Sequence, residues 1–251
     1  MTISGGGRGR PRPVTGPGRR PSAQGLGSLV YAQIKDQLLD GVFHAGQRLQ
    51  VEALRTEFGV SKQPVMEALR RLSGEGLVEI IPQVGCQVCS YPQREVDDFF
   101  RLFGAMEGTI AEIAASRRTD AQLTRLAQAE SRIGDLRAVT DPAERSRGYR
   151  THNRTFHGVV HEMAASPVMA VTSRRMWDLS DFLINTHGAL APLSSALDLR
   201  HADHEQILAA LGERDGAAAR KETEAHIVGT LEIIWATGTR SPDDVGDAAG
   251  A

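Results

Sequence analysis

The chain has 251 residues, of which 41% are hydrophobic and 24% are charged, and its formal net charge is −2. This length is sufficient for one or two domains that each bury a hydrophobic core. The sequence contains no apolar run of membrane-spanning length, and residues 1–27 lack the apolar segment of a secretory signal peptide. Two cysteines exclude a disulfide-rich scaffold. We therefore expect a protein of the reducing cytoplasm that has no membrane partner.

The total charge conceals an asymmetry between the two parts of the chain. Residues 1–91 contain 11 Lys/Arg and 7 Asp/Glu, a net charge of +4, whereas residues 92–251 contain 18 and 24, a net charge of −6. A basic first part indicates a module that binds a polyanion, joined to a module of another kind. Chance variation is the alternative explanation of the same asymmetry.

Both ends of the chain have the composition of flexible segments. Residues 1–27 are rich in Gly, Pro, Ser and Arg and predict a disordered basic tail, and residues 238–251 predict a second flexible tail. The arginines of the first tail would attract phosphates without regard to sequence, or would only keep the protein soluble. These arginines are Arg8, Arg10, Arg12, Arg19 and Arg20.

Three short helices and a β-hairpin are predicted between residues 28 and 91. Ser28 is the predicted N-cap of the first helix, which ends at Gly41. The second helix is predicted over 51–58, and after a turn at Gly59 the third helix begins at Ser61. Two short strands at 77–81 and 86–90 follow. This order is that of a winged helix-turn-helix.

The first turn of the third helix is the predicted DNA-reading surface. In a helix-turn-helix, this turn enters the major groove and presents polar side chains to base edges and phosphates. Lys62 and Gln63 are suited to base contacts, and Ser61 is suited to a phosphate. Arg70 lies two turns further along, where it would reach a backbone phosphate or remain part of a solvated face.

The hairpin also contains a Cys-x-x-Cys pattern, formed by Cys86 and Cys89. Positions three apart on a strand point to opposite faces, and no second pair of ligands lies nearby. We therefore expect ordinary strand packing, with a redox or metal role as the alternative.

The second module, predicted over 94–237, contains no convincing strand pattern. Glycine and proline divide it into helical segments, so we expect an all-α bundle of about six helices and a mainly α protein overall. The predicted segments are 94–116, 120–137, 142–164, 167–187, 194–213 and 216–236.

Three histidines of this module lie on the apolar faces of different predicted helices. His157 shares a face with Asn153, four residues earlier, while His204 and His226 lie beside apolar stripes. Histidines that converge in the core of a bundle form a plausible metal site. The alternative is that each imidazole is a hydrogen-bonded core residue without a metal.

Two segments of the first domain resemble the signature of the GntR transcription regulators. They are "GVFHAGQRL" and "VSKQPVMEALRRLSGEGLVEIIPQVGCQV". The resemblance implies a winged helix that binds double-stranded operator DNA as a homodimer, with Gln83 reaching the minor groove and Gly85 in the wing tip. Met66 stands where the family usually has an Arg that reads a guanine, and Gln83 and Val84 stand where it has basic residues. We therefore expect an unusual operator, weaker binding, or compensation from the basic tail.

Three segments of the second module resemble the ligand-binding FCD domain of the FadR subfamily. They are "HNRTFHGVVHEMAASPVM", "RHADHEQILAAL" and "AARKETEAHI". The resemblance implies a divalent metal held by an acidic residue and three histidines, which match Asn153, His157, His204 and His226. Asn153 replaces the usual Asp, so the site carries less negative charge and would favour an anionic effector. Three neutral imidazoles are typical of Zn²⁺ or Ni²⁺ sites.

The resemblance also bears on the effector. The family often has an Arg that clamps a carboxylate four residues before a characteristic Glu; here the Glu is Glu107 and Phe103 occupies the Arg position. Loss of that Arg makes a small dicarboxylate less certain as effector. Arg101, Phe103 and Arg150 are the candidate effector-pocket residues. The remaining histidines of the module, His152, His161, His187 and His201, match no block and are expected at the surface or around the ligands.

The leading hypothesis is a homodimeric DNA-binding regulator controlled by a small organic-acid-like effector at or near the metal. Repression is the commoner outcome in the family that it resembles, although the sequence does not fix the sign of regulation. One alternative is a metal-dependent hydrolase in which Glu162 or Glu205 serves as the base. The other is an architectural DNA binder whose helical domain only dimerises.

Overall fold

The computed structural model describes residues 23–187 and 192–237. The predicted tails lie outside these ranges, except for residues 23–27. Contacts within the chain divide it into two units. The first consists of the residues up to Gln37 together with Gly46–Cys89, and the second consists of Leu38–Ala45 together with the residues from Ser90 onwards.

The described residues of the first unit form three helices and a three-stranded antiparallel sheet with the strand order β1-β3-β2. In chain order, its elements are α1 (Ala23–Leu39), β1 (Arg48–Leu49), α2 (Val51–Phe58), α3 (Lys62–Gly74), β2 (Val78–Ile81) and β3 (Gly85–Val88). The helices α2 and α3 and the strands β2 and β3 confirm the winged helix-turn-helix prediction.

The turn between α2 and α3 follows from a few local signals. Gly59 ends α2 in a left-handed conformation with φ 66°, which glycine adopts without steric cost. Ser61 is the N-cap of α3, as predicted, although its side chain makes no capping hydrogen bond. Val65, Leu69 and Leu72 then form the buried face that fixes α3 against the rest of the unit.

Two details of this unit differ from the sequence prediction. The first helix spans Ala23–Leu39, so Ser28 lies inside it and is not its N-cap. The short strand β1 adds a third strand to the predicted hairpin through pairing with Gln87 and Cys86 of β3. Cys86 is buried in β3, and burial raises the pKa of its thiol to about 11, so the thiol stays protonated. No disulfide joins the two cysteines, both of which are described.

The second unit is a helical bundle, as predicted, but its described residues form eight α-helices rather than about six. The segment predicted at 194–213 divides at Ala196, and the segment predicted at 216–236 divides at Gly229. The helices are α4 (Gln93–Arg117), α5 (Asp120–Asp135), α6 (Pro142–Ala164), α7 (Pro167–His187), α8 (Pro192–Ser195), α9 (Leu197–Gly212), α10 (Gly216–Val228) and α11 (Thr230–Thr237). A short 3₁₀ turn, Leu136–Ala138, follows α5.

The helix α4 packs closely along α10 because two glycines line the contact. A Cβ atom at Gly108 would lie 2.9 Å from the backbone oxygen of Arg220, and one at Gly104 would lie 3.2 Å from that of Glu224. The two backbones therefore approach each other over at least one helical turn. Within the described residues, no helix has the combination of length and apolar character needed to cross a bilayer.

Candidate functional site

The polar face of α3 carries the predicted DNA contacts. Ser61, Lys62, Gln63 and Arg70 are all exposed, while the opposite side of the helix is buried. Arg70 forms no hydrogen bond or ion pair with any described residue. Its neighbour Arg71 is different, because its guanidinium lies 3.8 Å from the ring centroid of Tyr31. Arg71 therefore stabilises the unit, and Arg70 remains available to a phosphate.

The turn between β2 and β3 forms the wing tip. Gln83 and Gly85 both have positive φ angles, 65° and 132°, and the amide of Val84 donates to the Ile81 carbonyl at 3.1 Å. The three turn residues are exposed, and Val84 is 54% exposed. This geometry presents the Gln83 amide to solvent, where a groove could be reached.

The three predicted metal-ligating histidines converge in the core of the second unit. His157 of α6, His204 of α9 and His226 of α10 each offer a ligand nitrogen, and these nitrogens lie within 4.8 Å of one another. The three side chains are almost fully buried, with exposures of 1%, 0% and 3%. Ring centroids are separated by 4.5 Å for His204 and His226 and by 5.4 Å for His157 and His226.

The electrostatics of this three-histidine cluster favour neutral imidazoles. Burial lowers the pKa of each ring well below its usual value, and neighbouring charges add to the effect. At His157, these charges are mainly the other two histidines. At His204 they are His226 and Arg200, and at His226 the charge is that of Arg200. A neutral imidazole has a lone pair that can bind a metal ion. The cluster is therefore in the protonation state that coordination requires.

Hydrogen bonding in the cluster leaves several nitrogens without a partner. Nε2 of His157 and both ring nitrogens of His204 are buried and form no hydrogen bond with described residues. His226 differs, because its Nδ1 lies 3.1 Å from a carboxylate oxygen of Asp203, which leaves Nε2 for a ligand. Buried polar atoms without partners are costly, and a bound metal ion would satisfy them. The donor set therefore fits a divalent metal ion.

Asn153, the fourth predicted ligand, lies one turn before His157 on the same face of α6 and is 7% exposed. Its Oδ1 accepts a hydrogen bond from the Tyr149 hydroxyl at 3.4 Å. An amide oxygen can coordinate a metal ion but brings no charge, so the role of Asn153 stays a prediction.

The three predicted effector-pocket residues do not share one cavity. Arg101 is exposed on α4 beside Asp98, and Arg150 forms an ion pair with Asp40 at 2.9 Å. Phe103 is fully buried, and its ring packs edge-on against Trp177 with the centroids 4.9 Å apart. At the position where the family often has a carboxylate-clamping Arg, this chain therefore has an aromatic side chain that packs against Trp177.

A polar cluster beside this aromatic pair was not anticipated. Glu107 is buried, accepts a hydrogen bond from the Ser173 hydroxyl at 2.5 Å, and lies 2.8 Å from Nε2 of His161. Burial alone would raise the pKa of Glu107, but the hydrogen bond and charge of His161 outweigh it and the pKa is lowered. Nε2 of His161 also lies 3.3 Å from the Ser173 hydroxyl, so two partners hold His161 in place, which spacing along α6 alone could not indicate.

A cavity of about 570 Å³ lies between α6 and α7. Its polar wall contains Arg154, His161 and Arg174, and Trp177 forms part of its apolar wall. The Trp177 ring also contacts His157, with the centroids 4.4 Å apart. One aromatic side chain therefore connects the cavity to the three-histidine cluster.

Comparison with known families decides the class of the protein. Residues 26–88 match the family described as "Bacterial regulatory proteins, gntR family", and residues 98–229 match the FCD domain. The chain belongs to the GntR family. Its FCD domain places it in the FadR-like subfamily, so it is a DNA-binding transcriptional regulator and not an enzyme. The geometry agrees, because Glu162, one candidate base of the hydrolase hypothesis, is exposed and paired with Arg125 at 2.8 Å.

Similar proteins include two repressors of Escherichia coli (strain K12). This GntR regulator is 23% identical to the HTH-type transcriptional repressor GlaR over 207 residues, which cover 81% of this chain and 93% of GlaR. It is 25% identical to the HTH-type transcriptional repressor RspR over 217 residues, which cover 84% and 90%.

Solved structures share the fold. E. coli McbR/YncC has a TM-score of 0.69 at 21% identity, covering 84% of this chain and 97% of that one. A putative transcriptional regulator GntR from Rhodococcus sp. RHA1 has a TM-score of 0.66 at 19% identity, covering 83% and 96%.

Proposed function

We propose that this GntR regulator is a homodimeric repressor whose operator affinity is set by an effector and a divalent metal ion in its helical domain. The proposed domains are 28–91 for DNA binding and 94–237 for sensing and dimerisation. The observation that carries the proposal is the convergence of three buried, neutral imidazoles, with Nε2 of His157 and both ring nitrogens of His204 lacking a partner among the described residues. Repression is favoured because GlaR and RspR are both named repressors.

The DNA step depends on α3 and the wing. Two winged helices of a dimer would read two half-sites of a near-palindromic operator, with Lys62 and Gln63 at base edges. Ser61 and Arg70 would contact phosphates, and Gln83 would enter the minor groove beside Gly85. The absence of an Arg at position 66 removes one bidentate guanine contact, worth about 1–3 kcal/mol of discrimination.

The metal step depends on His157, His204 and His226, with Asn153 as the fourth ligand. A metal ion would supply charge and open coordination positions for an anionic group of the effector. Asp203 holds the tautomer of His226, and the burial of all three rings excludes competing water. Zn²⁺ and Ni²⁺ are the ions that suit this donor set.

The effector step depends on the cavity between α6 and α7. Arg174 in its wall favours an anionic group, whereas Arg154 in the same wall is already paired with Asp178 and Asp181. The Trp177 ring favours an apolar or aromatic body. Because α6 carries both cavity residues and His157, an effector there acts on the helix that also holds the metal ligand. The effector can change DNA binding only by its difference in affinity for two arrangements, and about 1–3 kcal/mol of coupling suffices.

The first test is a mobility-shift titration with the DNA beside the gene of this regulator. We expect a retarded band at low salt, and its absence would contradict DNA recognition at that site. Metal analysis and mass spectrometry of the purified protein would identify the bound ion and any small molecule.

The second test is the His204→Ala variant, with His152→Ala on α6 as the control. We expect His204→Ala to lose bound metal and effector response while it keeps low-salt DNA affinity, and we expect the control to behave as wild type. An unchanged metal content in His204→Ala would refute the three-histidine site. If the wild type binds DNA fully while it contains no metal and no small molecule, the architectural DNA binder is favoured instead.

A further inference from the structure

A second group of potential ligands lies away from the three-histidine cluster, where α5 packs against α9. Glu130 of α5 contacts Nδ1 of His201, and Glu205 lies one turn after His201 on α9. The Glu205 carboxylate is 4.0 Å from Nε2 of His201. One ligand atom from each of these three residues lies within 4.8 Å of the other two.

Unlike a typical surface ion pair, the contact between Glu130 and His201 is largely buried. Glu130 is 9% exposed and His201 is 8% exposed, and their contacting atoms, Oε1 and Nδ1, are inaccessible to solvent without forming a hydrogen bond of acceptable geometry. Burial raises the pKa of Glu130, and the charge of Glu205 acts in the same direction although His201 offsets it in part. Glu130 is buried and Glu205 is exposed, but both carboxylates lie near one imidazole, so a shared cation would relieve the repulsion between them.

We propose that Glu130, His201 and Glu205 form a second divalent-cation site that is separate from the three-histidine cluster. Two carboxylates and one imidazole suit Zn²⁺, Mn²⁺ or Ni²⁺, and their combined charge matches a divalent ion. Glu205, whose side chain is 60% exposed, leaves the remaining coordination positions open to water and provides the entry path.

The surroundings of the site are compatible with a cation. Gly134 faces the imidazole, and a Cβ atom there would lie 3.2 Å from the Cε1 and Nε2 atoms of His201, so the glycine leaves room beside the ring. The nearby cation Arg137 is held by Asp198 at 2.6 Å. That ion pair reduces the repulsion which Arg137 would otherwise exert on a bound metal ion.

A bound ion would connect two helices of the sensing unit. Glu130 belongs to α5, whereas His201 and Glu205 belong to α9, the helix that also carries His204 one turn after His201. Occupancy of the second site would therefore tie α9 to α5, one helical turn from the His204 ligand. Because α9 carries ligands of both sites, its position would depend on the occupancy of each of them.

The test is metal stoichiometry after equilibrium dialysis of the full chain against Zn²⁺ or Mn²⁺, read by elemental analysis. We expect two ions per wild-type chain, one for Glu130→Gln, one for His226→Ala, and none for the double variant. Glu213→Gln, an exposed glutamate after α9, is the matched control and should bind two. In the His226→Ala background, Glu130→Gln should weaken the remaining site by at least about tenfold.

The outcomes separate this site from the three-histidine site. One ion per wild-type chain, unaffected by Glu130→Gln, would overturn the proposal and leave Glu130 and His201 as an ion pair only. One ion in wild type that survives His226→Ala but not Glu130→Gln would support the second site and refute the first. If Glu130→Gln fails to fold, Glu205→Gln replaces it, because the exposed Glu205 side chain makes no contribution to the core.

Discussion

The metal-free regulator should lose stability steeply as the pH falls from 7.5 to 5.5. Burial lowers the pKa of His157, His204 and His226 in the folded state, whereas in the unfolded chain each has the ordinary value of about 6.5. The unfolded state therefore binds more protons in this range, and the free energy of unfolding rises with pH. The stability is present above about pH 6.5 and is lost below it.

The magnitude follows from the number of buried rings. A histidine that stays neutral in the folded state loses about 1.4 kcal/mol of stability between pH 7.5 and pH 5.5. Three such rings lose about 4 kcal/mol together, a large share of the 5–15 kcal/mol that is typical of a folded domain. The loss requires that the metal be removed, because a bound ion would itself compete with protons.

Urea unfolding followed by circular dichroism, with a chelator present at both pH values, measures this loss. His204→Gln should remove about a third of the difference, or about 1.4 kcal/mol, whereas His152→Gln should leave it unchanged. His187, whose pKa burial also lowers, is common to all three proteins and cancels. Equal stability at the two pH values in the wild type, or an unaltered difference in His204→Gln, would refute the interpretation of buried neutral imidazoles.

Three further predictions concern the DNA surface and the helix packing. Met66→Arg should increase discrimination for an operator with guanine at the facing position by about 1–3 kcal/mol, while Met66→Leu should not, as measured by competition mobility shifts. Lys62→Ala should weaken operator binding, as measured by binding titrations at several salt concentrations. If Lys62 contacts a phosphate instead of a base, the slope of log affinity against log salt concentration should also fall by about one. Gly108→Ala should destabilise the fold by about 1–3 kcal/mol, because its Cβ would lie 2.9 Å from a backbone oxygen of α10, whereas Gly158→Ala, with no atom within 4 Å, should not; thermal unfolding compares the two.

The winged helix could be predicted closely because its signals are local. Gly59, Ser61 and the apolar spacing of Val65, Leu69 and Leu72 all lie within one short stretch of chain. The strand β1 could not be predicted, because two residues have no periodicity and their pairing depends on a distant strand. The predicted helix over 216–236 continued through Gly229, although a glycine is a local signal at which a helix can end, and α10 does end there.

The candidate site was predictable in part for the same reason. His157, His204 and His226 lie on apolar helix faces, so their inward direction follows from helical spacing. The contact of His161 with Glu107 and Ser173 joins three helices, and the placement of Arg101 and Arg150 depends on how those helices are oriented. Sequence spacing contains no information about either arrangement.

The glycine-lined contact between α4 and α10 has a consequence for signalling. Because Gly104 and Gly108 bring the two backbones together, α10 has little freedom to slide or rotate against α4. His226 is thereby the histidine of the three-histidine cluster that moves least. Adjustment to an incoming ion must come from α6 and α9, which carry His157 and His204. A ligand-driven displacement would accordingly originate in those two helices, with the α4–α10 pair serving as the fixed frame of reference.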